Sequence, residues 1–83
     1  MLTLEKRLAK AIRNRRRKQR ISQEKCAAAA GIHRTYMSSI ERATVSISVG
    51  VAAKVAAALN MPLSQLLKDA ERLADDEDES SDG

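Results

Sequence analysis

Eighty-three residues with one Tyr, no Phe and no Trp amount to one small domain with a light core. Leu, Ile and Val together number 17 against 14 Ala, so self-association is expected to supplement that core. The single cysteine, Cys26, excludes an internal disulfide, and one Cys with one His excludes a protein-only zinc site of the usual kinds; neither metal nor cofactor is expected. The net charge of +4 conceals a division. Residues 1–68 hold 14 Lys/Arg against three acids, a surplus of +11 suited to a polyanion, whereas residues 69–83 hold one Arg against eight acids, or −7.

No stretch alternates as a strand does, and Ala, Leu, Arg, Lys and Glu dominate, so the expected class is all-α. The first helix spans Leu4–Lys18, capped by Thr3, with Leu4, Leu8, Ala11 and Ile12 as its apolar stripe. Charges at Glu5, Lys6 and Arg7 leave no signal-peptide core. No apolar run approaches the roughly 20 residues of a membrane helix, so the cytoplasm is the expected compartment and a membrane is not an expected partner. Six of the eight residues Arg13–Arg20 are Arg or Lys. Cations suit a helix C-terminus; they also suit a row of DNA-phosphate contacts, for which Arg17 and Arg20 are the candidates.

Ser22–Arg42 reads as two short helices joined by a sharp turn. Ser22 caps the first, which runs to Ala30. Ala27 is small where two crossing backbones approach, and Gly31 supplies the left-handed residue that stops the helix. Ile32 points inward, and His33 stands where a capping acceptor belongs. In the following helix, Arg34–Arg42, Met37 and Ile40 lie three apart and face inward. That leaves Arg34, Thr35, Ser38 and Ser39 outward, a face able to donate and accept toward base edges. The arrangement is that of a helix-turn-helix whose second helix enters a DNA groove. Cys26, among alanines, reads as a small buried apolar residue.

After a connector, Ser48 caps a fourth helix, Val49–Leu59, with Val49, Ala52, Val55, Ala56 and Leu59 as its stripe. Asn60 ends it, and Pro62 starts a fifth with Leu63, Leu66, Leu67, Ala70 and Leu73. A domain at 1–73 is thus followed by an acidic tail at 74–83, without an apolar residue after Ala74, expected to be disordered.

The text Ile21–Glu24 (ISQE), Ala30–Ile32 (AGI), Arg34–Arg42 (RTYMSSIER), Lys54–Leu59 (KVAAAL) and Met61–Leu67 (MPLSQLL) resembles the phage-repressor/Cro type of helix-turn-helix, the xenobiotic-response-element (XRE) family, over about Leu8–Leu67. The resemblance implies a compact five-helix bundle of the lambda-repressor-like type, with the helix-turn-helix as its second and third helices. It also implies sequence-specific binding of double-stranded operator DNA, usually as a two-fold dimer, in transcription regulation. Residue by residue, it implies base reading by Arg34, Thr35 and Ser39, with Ser38 less often used. Gln23 then grips a phosphate and buttresses the reading helix, and Arg42 and Thr44 meet the backbone. Arg16 and Glu41 match a partly buried structural ion pair. The chain departs from the pattern at Ala43 and Arg20, where glycine is usual, and at Arg15 and Cys26, where leucine is usual. A dimer through the fourth and fifth helices is expected from Val45, Ile47, Val51 and Leu73. A restriction–modification controller, a small phage regulator and an antitoxin all fit the size. The alternative class is a protein-interaction module whose fifth helix and tail engage a toxin or an RNA polymerase subunit, which the +11 surplus disfavours. Enzymatic activity is not expected, since no acid–base pair, activated nucleophile or phosphate-cradling glycine loop is present.

Overall fold

The computed structural model describes residues 3–80, with side chains described to Leu73. Within them the chain forms α1 (Leu4–Lys18), α2 (Gln23–Ala30), α3 (Arg34–Glu41), α4 (Val49–Ala58) and α5 (Leu63–Ser80). The backbone of 74–80, expected to begin a disordered acidic tail after a domain ending at 73, continues α5 to Ser80; the side chains from Ala74 on, and residues 81–83, lie outside the described residues.

Each of the first four helices starts on a side-chain acceptor. The hydroxyls of Thr3, Ser22 and Ser48 accept from the backbone N–H of Lys6, Lys25 and Val51 at 3.0–3.1 Å. At α3 the acceptor is Nδ1 of His33, which receives the Thr35 N–H at 3.1 Å. The same four helices end alike. The residue after the last turn is left-handed, its N–H bonds three residues back, and the next N–H bonds five residues back. The left-handed residues are Arg20 (φ 59°), Gly31 (φ 73°), Ala43 (φ 58°) and Asn60 (φ 61°). The closing bonds are Ile21 to Arg16, Ile32 to Ala27, Thr44 to Ser39 and Met61 to Ala56, at 3.0–3.1 Å. Ile21, Ile32 and Met61 then fold back onto the core.

Ala43 therefore adopts the conformation its glycine counterpart would, and α3 does not run on. A left-handed non-glycine residue is disfavoured by about 1–2 kcal/mol, part of which glycine loses again through its freer unfolded chain. Ala43→Gly is expected to stabilise the domain by roughly 0.5–1 kcal/mol, seen as a rise of a few degrees in Tm; an unchanged or lower Tm would contradict the strain.

The helices enclose one core, with Ile12, Met37, Val55, Leu59 and Leu66 fully buried at its centre. Its thinness is met by alanine at close approaches: Ala27, Ala56 and Ala70 are at most 1% exposed. Two stripe residues depart from expectation. Leu4 is 48% and Val49 75% exposed. Each is the first residue of its helix. Both line one open groove with Leu63 and Leu67 instead of being enclosed by the core.

The pairing of α1 with α5 is the most extensive in the fold. Arg15, at a position where leucine is usual, neither opens the core edge nor merely snorkels. Its Nη2 donates to Asp69 Oδ2 at 2.9 Å, and Gln65 Nε2 donates to the other oxygen at 3.0 Å. Burial works against ionisation of Asp69, but these hydrogen bonds and the charges of Arg15 and Arg72 outweigh it and hold the carboxyl below its ordinary 3.8. The unfolded chain therefore takes up the proton first. The pair's contribution is complete above about pH 4 and is lost as pH falls through the lowered folded value. Acid unfolding of Asp69→Asn is expected to be less steep in that range than that of the parent, in circular dichroism titrations below pH 4.

Candidate nucleic-acid interface

The second helix of the turn is fixed from below before it presents anything above. Met37 is 0%, Ile40 3% and Glu41 1% exposed. A carboxylate buried so fully must be surrounded by donors. Arg16 supplies two in fork geometry, Nε to Oε2 at 2.7 Å and Nη2 to Oε1 at 2.9 Å, and its third nitrogen, Nη1, donates to the Ile21 carbonyl at 2.9 Å. Gln23 Nε2 donates to Glu41 Oε1 at 3.1 Å. Arg13 Nη1 donates to the Glu41 carbonyl at 2.6 Å, satisfying an orphan acceptor at the end of α3. The hydrogen bond to Glu41 is the main cause holding the Arg16 guanidinium protonated more firmly than usual, against the opposing effect of burial. Next to this cluster, burial pushes the Cys26 thiol up, reinforced by the charge of Glu41 and offset by Arg16. With 0% exposure, Cys26 is core material.

Held in this way, α3 turns its other face to solvent. Arg34 and Thr35 are exposed and Ser38 is half-buried. Together with Gln23 and Arg42 they line one open cleft of about 250 Å³. The cleft thus brings together three residues expected to read bases, Arg34, Thr35 and Ser38, and two expected to contact the DNA backbone, Arg42 and Gln23. The fifth, Gln23, sits between the buried Glu41 and the cleft, so one amide hydrogen is committed inward. Ser39 stands apart, half-buried and outside the lining; its carbonyl accepts both the N–H and the hydroxyl of Thr44, at 3.0 and 3.2 Å. Thr44 is thus engaged in closing α3.

The basic run of α1 divides in two. Arg13, Arg15 and Arg16 are turned inward to α3 and α5 by the bonds above, and Gln19 Nε2 donates to the Leu59 carbonyl at the end of α4 at 2.7 Å. Arg17, Lys18 and Arg20 are exposed. The bonds made by Arg13 and Gln19 had no signal in the sequence, because their partners are carbonyls 28 and 40 residues away. Among the described residues no cluster of His, Cys, Asp and Glu could hold a metal ion, and no helix is long and apolar enough to cross a membrane.

Comparison with known proteins agrees with this architecture. A helix-turn-helix family profile, HTH_3, matches residues 12–66, more than half of the chain. The control protein C.SmaI of Serratia marcescens is 37% identical over 60 residues, covering 72% of this chain and 71% of that protein. The clp gene regulator ClgR from C. glutamicum superposes with a TM-score of 0.81 at 25% identity, over 86% of this chain and 92% of that one. The restriction–modification controller protein C.AhdI from Aeromonas hydrophila superposes with a TM-score of 0.72 at 27% identity, over 75% of this chain and 94% of that one. These relatives are regulators, not enzymes. By sequence and by fold, the chain belongs to the XRE-type helix-turn-helix family of DNA-binding transcription regulators.

Proposed function

We propose that the protein is a homodimeric regulator of the controller type, which reads a pseudo-palindromic operator by inserting α3 into the major groove. The observation that carries this reading is the cleft where Arg34, Thr35, Ser38, Arg42 and Gln23 converge on the open face of a helix locked from behind. Arg34 and Thr35 contact base edges with Ser38 beside them, and Ser39 takes part at the margin. Gln23, Arg42 and Thr44 hold the backbone on either side, and Arg17 and Arg20 add phosphates beyond. The similarity to C.SmaI and C.AhdI favours a controller over the phage and antitoxin roles.

The face we assign to the second copy is at the starts of α4 and α5. Leu4, Ile47, Val49, Leu63 and Leu67 line an open apolar groove of about 130 Å³ there, and Val49 and Leu4 leave it largely uncovered. Two α3 helices related by a two-fold axis would enter successive major grooves, with half-sites about 34 Å apart. Selection from a random duplex pool is expected to return an inverted repeat with that spacing; recovery of one unpaired site would defeat the dimeric reading. Val49→Asp, at an exposed position that leaves the fold intact, is expected to raise the dimer dissociation constant by about tenfold or more in sedimentation and to lower operator affinity with it. A variant that sediments as the parent does would move the interface elsewhere.

A further inference from the structure

Among the caps described above, α3 alone starts on an imidazole; the others use hydroxyls, whose acceptors are indifferent to pH. His33 is also the one histidine of the chain. Its backbone is held from both sides: the neighbouring Ile32 N–H donates to the Ala27 carbonyl in α2, and the His33 carbonyl accepts from the Met37 N–H, each at 3.0 Å. The ring adds a bond of another kind. Nδ1 takes the Thr35 N–H at 3.1 Å, one of the donors that a helix start leaves without a partner inside the helix. Accepting there requires Nδ1 to be unprotonated, so the neutral ring carries its hydrogen on Nε2. A proton on Nδ1 sets donor against donor and places a positive charge at the positive end of the helix dipole.

The two ends of α3 are therefore secured differently. With eight residues it is too short to keep its shape unaided. Its far end is fastened through Glu41, with Arg13, Arg16 and Gln23 around it. Its near end has the ring, and on that first turn stand Arg34 and Thr35, the two exposed residues assigned to base edges. The Gln23–Glu41 bond shows that α2 begins at the far end of α3. The titratable groups of α2, Glu24, Lys25 and Cys26, thus stand away from His33, and α1 reaches α3 through Arg13 and Arg16 at Glu41. On α3 itself the other groups are Arg34 and Tyr36, and the one charged residue of α4, Lys54, is exposed. Among the described residues no carboxylate pairs with the ring to hold a proton on it.

We propose that His33 is a positioning residue for recognition: by capping Thr35 it fixes the turn that carries Arg34 and Thr35, and acid, by removing the cap, loosens discrimination between sequences. The role in discrimination rests on the base-reading assignment above; the cap does not. Imidazole is the side chain whose charge ordinarily changes between about pH 5 and 8. An imidazolium also attracts phosphates, but on every sequence alike. The ratio of operator to random-duplex affinity therefore separates positioning from general attraction.

That ratio is to be measured at about pH 7.5 and about pH 5.5, at one ionic strength, for the parent, His33→Asn and His33→Ala, with the duplex recovered by selection as operator. Asn sets its Oδ1 where Nδ1 stands and does not titrate, whereas Ala removes the acceptor. In the parent the ratio is expected to fall about fivefold on acidification, the worth of one cap. His33→Asn is expected to hold the parent's neutral-pH ratio at both values, and His33→Ala the parent's acid ratio at both. In the free parent the Thr35 amide NMR resonance is expected to shift along with the His33 ring, and to stay fixed in His33→Asn. An amide that does not follow the ring overturns the cap. A shifting amide with a constant ratio makes the cap a matter of stability alone and overturns the positioning role, as does an Asn variant that loses discrimination in acid just as the parent does. If no protein prefers the operator even at neutral pH, the base-reading assignment fails and positioning with it, while the amide still decides the cap.

Discussion

Arg16→Ala is expected to remove about 3–5 kcal/mol of folding stability. The magnitude comes from the group left behind. Glu41 is 1% exposed, and Arg16 supplies two of the three donors to its carboxylate, the third being Gln23. The substitution also strips a donor from the Ile21 carbonyl, at the turn between α1 and α2. Against a total of roughly 5–10 kcal/mol for a domain of this size, such a loss brings the protein close to its unfolding threshold. Urea denaturation measures it directly. The companion variant Arg16→Met with Glu41→Leu removes both charges at once and is expected to recover most of the loss, because the expense lies in the unpaired carboxylate rather than in the missing attraction. A single-variant loss below about 1 kcal/mol would mean that water reaches Glu41 and that the pair is incidental.

Arg34→Ala is expected to leave stability unchanged and to weaken operator binding by about 1–3 kcal/mol, roughly 5- to 150-fold, with relaxed selectivity at one base position. Arg34 is exposed at the start of α3 and opens onto the cleft, so its removal uncovers nothing in the core. A guanidinium there is suited to the O6 and N7 acceptors of guanine. The control is Arg17→Ala, which is expected to weaken binding to every sequence alike and to reduce the salt dependence by about one phosphate contact. A uniform loss for Arg34→Ala, without any change in base preference, would assign it to the backbone instead.

Much of the fold was legible because its punctuation is local. Thr3, Ser22, His33, Ser48, Gly31 and Asn60 each act on backbone groups within a few residues, and each stands where the sequence placed it. Arg20 and Ala43 carry no such signal. They turn left-handed because the chain beyond them must double back, Ile21 onto the core and Thr44 onto the end of α3. Side-chain chemistry at the two positions gives no hint of this. The outward face of α3 was legible for the same reason that Met37 and Ile40 were: one buried pair fixes the rotation of a short helix. Ser39, half-buried like Ser38, differs from it in lying outside the cleft, with its carbonyl taken up by Thr44. The use of the basic run was legible only in part. Helical spacing sets Arg15 and Arg16 on the stripe of Leu8, Ala11 and Ile12 and Arg17 off it, but nothing local turns Arg13 inward or names the partner of Arg15. The choice is made by Glu41 and Asp69, 25 to 54 residues later.

The inward bonds of α1 bear on the order in which the chain can be completed. The N-terminal helix is made first, yet Arg13 and Arg16 wait for Glu41, Gln19 for Leu59 and Arg15 for Asp69. Until the last of these has been synthesised, α1 is an amphipathic segment with its apolar stripe uncovered and its guanidinium groups unmatched. The turn between α2 and α3 has its own local contacts and can form earlier, but the carboxylate beneath it is neutralised only from α1. The earliest helix in the sequence is therefore the last to be secured, and a ribosome-bound chain that stops before position 69 would present a basic, partly apolar α1 to any polyanion nearby.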